Sequence, residues 1–203
     1  METSSCFNLL RRSVLASIPL SERAITELLK QFTLTEIQAD TLFCKAGEYH
    51  SSFAFVCQGI LIAFYQDSAE KIHVKSFFPQ HRFLLPLPSF IYRSPVFINY
   101  KAITSCKLLV AKYSGIESLF KTYPQVQNLL RQLIDKEWII DRVNYEAALF
   151  NYNTATRYRL LNEFLGSDIS LVPSEFVASY LQISIKQLDK YIARNQSSRS
   201  DER

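Results

Sequence analysis

The stretch that decides the fold is Pro173–Ile192, PSEFVASYLQISIKQLDKYI, near the end of a chain of 203 residues. Relative to Ala178, apolar side chains lie at −1, +3, +5, +10 and +13; they are Val177, Leu181, Ile183, Leu188 and Tyr191. This spacing is typical of a helix-turn-helix, in which one helix supports a second helix that can enter the major groove of DNA. An ordinary αα-hairpin could carry the same five apolar positions, so the motif leaves both interpretations open.

Composition restricts the class of protein. Hydrophobic residues make up 48% of the chain and charged residues 21%, which is typical of a globular protein. No stretch approaches the roughly 18 apolar residues of a membrane span, and the N-terminal METSSCFNLLRRS has no apolar run typical of a signal peptide. Cys6, Cys44, Cys57 and Cys106 are scattered, without a CxxC pair, and are predicted to be reduced thiols. We therefore expect a cytoplasmic protein without a membrane partner.

The charge distribution is only mildly basic. The net charge is +4, and the region after residue 153 is almost balanced, which argues against a strongly electrostatic nucleic-acid binder. Within the segment from Ser184 to Arg199, however, Lys186, Lys190 and Arg194 outnumber the one acidic residue, Asp189. These basic residues are enough to contact DNA phosphates, but their presence does not by itself show that the segment binds DNA.

The middle of the chain is predicted to be a β structure. Residues 1–30 are predicted to be helical, with Ser21 as an N-cap, and four prolines between Pro79 and Pro95 indicate a loop or a short helical insert. Between these regions and up to Lys112, short runs rich in β-branched and aromatic residues alternate with turn residues. They predict an antiparallel sandwich or barrel. The runs are FTLTEI, DTLFCKAGE, SFAFVCQG, ILIAFYQDS, KIHVKSFF, PVFINYKAI and CKLLVAKYS.

A long periodic segment follows at residues 124–151. Its apolar residues repeat at heptad spacing, interrupted at Lys136, which predicts a helix that pairs with a second copy of the chain. The alternative is a long helix packed on its own sheets. The residues of the predicted dimer seam are Val126, Leu129, Leu133, Ile140, Val143, Ala147 and Phe150.

The order of these regions resembles the Crp/Fnr family of catabolite-activator and fumarate-nitrate-type regulators. The stretch that resembles the family most specifically is Arg157-Tyr158-Arg159-Leu160-Leu161 followed by VPSEFVASYLQIS; AGEYHSSFAFVCQGILIAFY (Ala46–Tyr65), with Gly47 and Gly59, is similar to the family's strand–turn–strand. The resemblance implies an α+β fold with an N-terminal antiparallel jelly-roll barrel of the cyclic-nucleotide-binding type, a dimerisation helix and a C-terminal helix-turn-helix. The corresponding domains are residues 1–123, 124–151 and 152–203. It also implies a homodimer on a two-fold symmetric DNA site.

The cyclic-nucleotide cassette departs from the family pattern. The family's nucleotide binders use a Gly-Glu pair and, about ten residues on, an arginine that holds the cyclic phosphate. The stretch FFPQHRFLLPLPSFIYRSPVFINYKAI has no Gly-Glu, and Val96 stands where the arginine would be. We therefore expect no tight binding of cyclic AMP, since a buried phosphate needs a paired cation, and no other cofactor. The predicted pocket for an unidentified effector comprises Arg82, Phe83, Arg93, Val96 and Tyr100.

The predicted contacts to DNA lie in and beside the two C-terminal helices. Lys186, Gln187 and Lys190 are predicted to reach base edges, and Ser174, Ser184 and Arg194 are predicted to contact phosphates. Two residues depart from the family pattern. Asp189 places a carboxylate near the groove, and Gln182 replaces the turn glycine, with strain of roughly 1 kcal/mol if it is left-handed.

Catalysis and metal binding are not expected. His50, His73 and His81 lack a ligand-like spacing, and no third group orients a Cys–His pair. The sequence thus predicts a transcription regulator that senses an effector and binds DNA as a dimer. The alternative is an effector-binding or protein-interaction module whose helix-turn-helix no longer binds DNA, which Asp189 and the nearly balanced C-terminal region favour.

Overall fold

A computed structural model describes residues 2–136 and 141–200. Two helices come first, then eight strands with one short helix among them, then a series of helices. The first part comprises α1 (Thr3–Ser17), α2 (Glu22–Leu29), β1 (Phe32–Ile37), β2 (Leu42–Cys44), β3 (Ser52–Gln58), β4 (Leu61–Gln66), β5 (Ile72–Phe78), β6 (Phe83–Leu84), α3 (Leu87–Ile91), β7 (Asn99–Ala102) and β8 (Cys106–Lys112). The second comprises α4 (Tyr113–Glu117), α5 (Pro124–Ile134), α6 (Asp141–Asn151), α7 (Thr154–Leu165), a 3-10 helix (Gly166–Leu171), α8 (Ser174–Leu181) and α9 (Ile185–Ser200).

The strands form two four-stranded antiparallel sheets. The strand order is β1-β8-β3-β6 in the first sheet and β2-β7-β4-β5 in the second. Alternate side chains of both sheets meet in a common core that includes Val56, Leu61, Phe78, Tyr100 and Leu108. We call this pair of sheets the two-sheet body.

The prediction of short antiparallel strands is confirmed, and so are the Ser21 N-cap and the short helical insert. Ser21 Oγ accepts a hydrogen bond from Ala24 N at 3.2 Å, and α3 occupies the proline-rich stretch. The predicted jelly-roll barrel is confirmed only in part, as two antiparallel sheets. Among the described residues no strand of one sheet pairs with a strand of the other, so the two sheets do not close into a barrel.

The N-terminal helices and α5 cover the outer face of the first sheet. Val126, Leu129 and Leu133 of α5 pack there in one cluster with Leu10 of α1 and Phe53 of β3. Their exposed fractions are 0%, 3% and 6%. These three residues were predicted to lie in a dimer seam, but they are buried within the chain itself because α5 lies against its own sheet.

The remaining residues of the predicted seam lie beyond α5. Val143 and Phe150 of α6 are 58% and 88% exposed, and Ala147 on the same helix is also exposed. Ile140 lies outside the described residues. The apolar stripe therefore divides into a buried half on α5 and an exposed half on α6. None of the helices within the described residues is long and apolar enough to cross a membrane.

The C-terminal helices share a core with the outer face of the second sheet. Ile62 and Phe77 of that sheet are clustered with Leu161 of α7, Val177 of α8 and Leu188 of α9. The predicted boundary near residue 152 coincides with the turn between α6 and α7, but the helices after it are packed on the sheet.

Candidate functional site

Helices α8 and α9 form a compact pair joined by a tight turn. Val177, Ala178, Leu181 and Leu188 are all buried, as the apolar spacing predicts. The turn is closed by a hydrogen bond from Ile183 N to Ala178 O at 3.0 Å. These contacts hold the second helix against the first and leave the opposite side of α9 open.

The residue that ends α8 has a left-handed backbone. Gln182 has φ 54° and ψ 46°, the region that costs a side-chain-bearing residue roughly 1 kcal/mol or more. The guanidinium of Arg157, on α7, donates from Nη1 to the carbonyl of Leu181 at 2.8 Å. Sequence reasoning recognised Arg157 only as part of a motif. The structure shows that it caps α8 directly before the turn.

The start of α9 is fixed by a capping box. Ser184 Oγ accepts from Gln187 N at 3.2 Å, and Gln187 Oε1 accepts from Ser184 N at 2.9 Å. The pattern Ser-x-x-Gln in the sequence is the signal that could have predicted this pair. Gln187, predicted to reach a base edge, therefore uses its side-chain oxygen to cap its own helix.

The other predicted DNA contacts lie on α8 and α9, and those whose side chains the structure describes are exposed. Lys186 and Lys190 are four residues apart and exposed, so they occupy one face of α9, and Asp189 is exposed beside them. Ser174 is exposed at the start of α8. Arg194 belongs to α9, but its side chain lies outside the part that the structure describes.

Helix α8 is attached to the edge of the second sheet. Ser179 Oγ accepts from Val74 N at 2.9 Å and donates to Ile72 O at 2.9 Å. Both partners are backbone groups of the edge strand β5, so the hydroxyl takes the place of a neighbouring strand there. Around this contact, the ring of Tyr180 packs on Phe77 and Tyr145, with ring centres 5.1 and 4.6 Å apart.

A cavity of about 290 Å³ lies next to this attachment. Its walls come from the second sheet and from α6, α7 and α8, so it lies between the two-sheet body and the C-terminal helices. The wall residues are Ala63, Tyr65, Lys75, Ser76, Phe77, Phe78, Arg82, Ile98, Tyr100, Tyr145, Ala148, Leu149, Arg157, Leu160, Leu161, Phe164, Tyr180 and Leu181.

The predicted effector residues are divided between this cavity and other places. Arg82 and Tyr100 line the cavity. Val96 is buried in the core between the sheets and Phe83 in the cluster beneath α1, while Arg93 is exposed with φ 48°. Burial raises the pKa of Tyr100 far above its usual value, so the phenol contributes no negative charge to the cavity.

The thiols and imidazoles offer little reactive chemistry. All four cysteines are free and buried, and burial raises the pKa of Cys44 and of Cys57 to about 12, so both stay protonated at neutral pH. Burial lowers the pKa of His50, which packs against the Phe43 ring with centres 4.8 Å apart. Within the described residues, no group of three or more His, Cys, Asp or Glu side chains is placed to hold a metal ion.

Comparison with known proteins gives matches in structure alone. No protein-family model and no curated protein sequence matches this chain. The c-di-GMP responsive global regulator CLP of Xanthomonas campestris is 14% identical to this chain. The TM-score is 0.67, over 88% of this chain and 93% of CLP. FixK2 from Bradyrhizobium japonicum is 13% identical, with a TM-score of 0.69 over 82% of this chain and 85% of FixK2.

A third similar structure is a proposed cyclic nucleotide binding protein from Ruegeria pomeroyi. It is 17% identical, with a TM-score of 0.68 over 97% of this chain and 89% of that one. At such identities the similarity establishes the fold alone. The chain has a Crp/Fnr-type fold, which confirms the family resemblance of the sequence at the level of architecture.

Proposed function

We propose that the chain is a transcription regulator of the Crp/Fnr type, in which α8 and α9 form a helix-turn-helix and α9 enters the major groove of DNA. The observation that carries this proposal is the exposed face of α9. Lys186 and Lys190 point away from the buried Leu188, so both ammonium groups are available to a phosphate backbone or a base edge. Ser174 and Ser184 lie at the starts of the two helices, where hydroxyls and backbone N–H groups suit phosphate contacts.

The active form in this proposal is a homodimer built on α6. Val143, Ala147 and Phe150 are spaced four and three residues apart, so they form one stripe along the exposed side of this helix. A second copy covers the stripe and places two α9 helices on one side of the assembly. Two recognition helices about 34 Å apart enter successive major grooves of a two-fold symmetric site.

Effector sensing is the third part of the proposal. The cavity has walls from the two-sheet body and from α7 and α8, so an occupant contacts both the sensing and the DNA-binding parts. A ligand that prefers one arrangement of these parts shifts the population toward that arrangement, and with it the DNA affinity.

The alternative is a module that has kept the helix pair but does not bind DNA. It is favoured by the exposed carboxylate of Asp189 beside Lys190. It is also favoured by the capping role of Gln187, because the side-chain oxygen that was expected to read a base accepts a hydrogen bond from Ser184 N instead. This module would use the cavity or the exposed helix faces without a nucleic-acid partner.

In vitro selection separates the two functions. Random duplex DNA is incubated with the full chain, bound molecules are amplified over several rounds, and the enriched sequence is tested by gel shift. We expect a two-fold symmetric sequence, a shift that specific but not random DNA competes, and loss of the shift in Lys190→Glu. The matched control is Lys121→Glu, an exposed lysine outside the helix pair. Failure to enrich any sequence, or equal shifts with both variants, would favour the module.

A further inference from the structure

The cavity between the two-sheet body and the C-terminal helices has a consistent chemistry. Three cationic residues, Lys75, Arg82 and Arg157, contribute to its wall, and no Asp or Glu is among its described wall residues. The rest of the wall is mainly aromatic and aliphatic. Such a wall complements a molecule with one acidic group and an apolar body.

The arginines are held at the cavity from two different parts of the fold. The guanidinium carbon of Arg82 lies 5.1 Å from the centre of the Phe164 ring, so a cation of the two-sheet body stacks on a ring of α7. Arg157 is held by its bond from Nη1 to Leu181 O, and its buried Nε has no hydrogen-bond partner among the described residues. Arg157 therefore has an N–H donor available beside the cavity.

The aromatic part of the wall surrounds the third cation. The ammonium group of Lys75 lies 5.8 Å from the Tyr65 ring centre and 6.0 Å from that of Tyr145. Tyr65 belongs to the sheet and Tyr145 to α6, so this corner also joins two elements. Flat rings beside a cation suit a planar apolar group attached to an acid.

We propose that the cavity binds a small organic acid with an aromatic or aliphatic body, its acidic group held by Arg82 and Arg157 and its body packed between the sheet and α6–α7. The volume of about 290 Å³ is at the small end of the roughly 300–1,000 Å³ typical of ligand sites, so one compact molecule fills it. Because the walls come from both parts of the chain, occupancy strengthens the attachment of α7 and α8 to the sheet. Binding of the acid does not depend on the proposed function; only the expected effect of that binding on DNA affinity rests on it.

The probe that fits this chemistry is 1-anilinonaphthalene-8-sulfonate, an aromatic body with a single sulfonate. Its fluorescence is titrated with the full native chain and compared with N-phenyl-1-naphthylamine, which has the same rings and no charge. We expect one sulfonate probe per chain and at least tenfold weaker binding of the neutral amine. Equal affinities for the two probes would overturn the proposal, and this comparison needs only the wild-type chain.

Variants locate the site. Arg82→Gln removes one cation and should weaken the sulfonate probe at least tenfold while leaving the neutral amine almost unchanged; Ala148→Phe fills the cavity and should weaken both. The control is Arg159→Gln, on the same helix as Arg157 but exposed and paired with Glu163. Unchanged binding in folded Arg82→Gln and Ala148→Phe would contradict the assignment. The titration contains no DNA, so its failure is distinguishable from a failure of the proposed DNA binding.

Discussion

The hydroxyl of Ser179 lies 2.9 Å from the backbone nitrogen of Val74, so the first helix of the C-terminal pair is hydrogen-bonded to an edge strand of the second sheet. The same hydroxyl donates to Ile72 O, and both bonds lie beside a core shared by the sheet and α7–α9. The C-terminal helices are therefore fixed to the part of the chain that forms the cavity. Residues of α7 and α8 also line the cavity, so in the proposed regulator a bound ligand contacts these helices directly.

Ser179→Ala tests this attachment. The substitution leaves the Val74 N–H without its acceptor, and a partly buried unsatisfied backbone group costs about 1–2 kcal/mol. We expect a loss of that size in urea unfolding and faster hydrogen exchange at the Val74 amide. Ser170→Ala is the control, because that exposed hydroxyl bonds only within its own 3-10 helix, to Ser167 O. Unchanged exchange at Val74 would show that the helix is not held by this hydroxyl.

Phe150→Glu tests the dimer. Phe150 is 88% exposed on α6, and a carboxylate there opposes burial of the stripe against a second copy. In light scattering we expect the wild type at twice the chain mass of 23.5 kDa and the variant as a monomer with an unchanged melting temperature. Phe97→Glu, which is 70% exposed before β7, should remain a dimer. A monomeric wild type would refute the pairing.

Cyclic AMP should bind weakly or not at all. Val96, which the family resemblance aligns with the phosphate-binding arginine, is 1% exposed, and its backbone N–H donates to Glu48 O at 3.0 Å. A phosphate there would lose its hydration without gaining a paired cation. Isothermal calorimetry should detect no binding at micromolar concentrations. A dissociation constant in the micromolar range or tighter would contradict this reading of the sheet core.

Alkaline pH should destabilise the chain through its buried thiols. Burial raises the pKa of Cys44 and of Cys57 to about 12, whereas the pKa of a thiol in the unfolded chain is about 8.5. The folded state therefore holds protons that the unfolded state releases, and stability that is complete below about pH 8.5 is lost as the pH rises toward 12. In urea unfolding we expect the free energy of unfolding at pH 10 to be lower than at pH 8 by up to roughly 2 kcal/mol for each of the two thiols.

The double variant Cys44→Val/Cys57→Val isolates the thiols from the tyrosines and lysines that also titrate there. Its stability should fall less between the two pH values than that of the wild type. An identical pH dependence in both chains would show that the thiols do not cause the loss.

The sequence predicted those features that depend on local pattern. Seven strands follow from their β-branched and aromatic runs, whereas β6, which is two residues long in a proline-rich stretch, has too little pattern to be seen. The apolar spacing around Ala178 predicted the buried face of the helix pair. The heptad pattern of residues 124–151 was ambiguous, because an apolar stripe can pack either on the same chain or on a second copy of it. The structure places the α5 half of that stripe against the first sheet.

The cavity could not be predicted in the same way. Arg82 and Arg157 are separated by 74 intervening residues and come together only because α7 packs on the second sheet. Arg82 and Tyr100 were expected near an effector because they lie in the stretch that resembles the family's nucleotide cassette, and that stretch does not include α7. Arg157 was visible only as a motif residue. A long-range packing arrangement leaves no periodic signal in the sequence.

The central claim, that α9 is a DNA-reading helix, is tested most directly by the salt dependence of binding to the selected DNA site. We expect the logarithm of the association constant to fall linearly with the logarithm of salt concentration. Arg194 is predicted to contact a phosphate, so the magnitude of the slope should decrease by about one per chain in Arg194→Gln but not in Lys121→Gln. Binding that does not depend on salt, or a slope that is the same in wild type and Arg194→Gln, would contradict the claim.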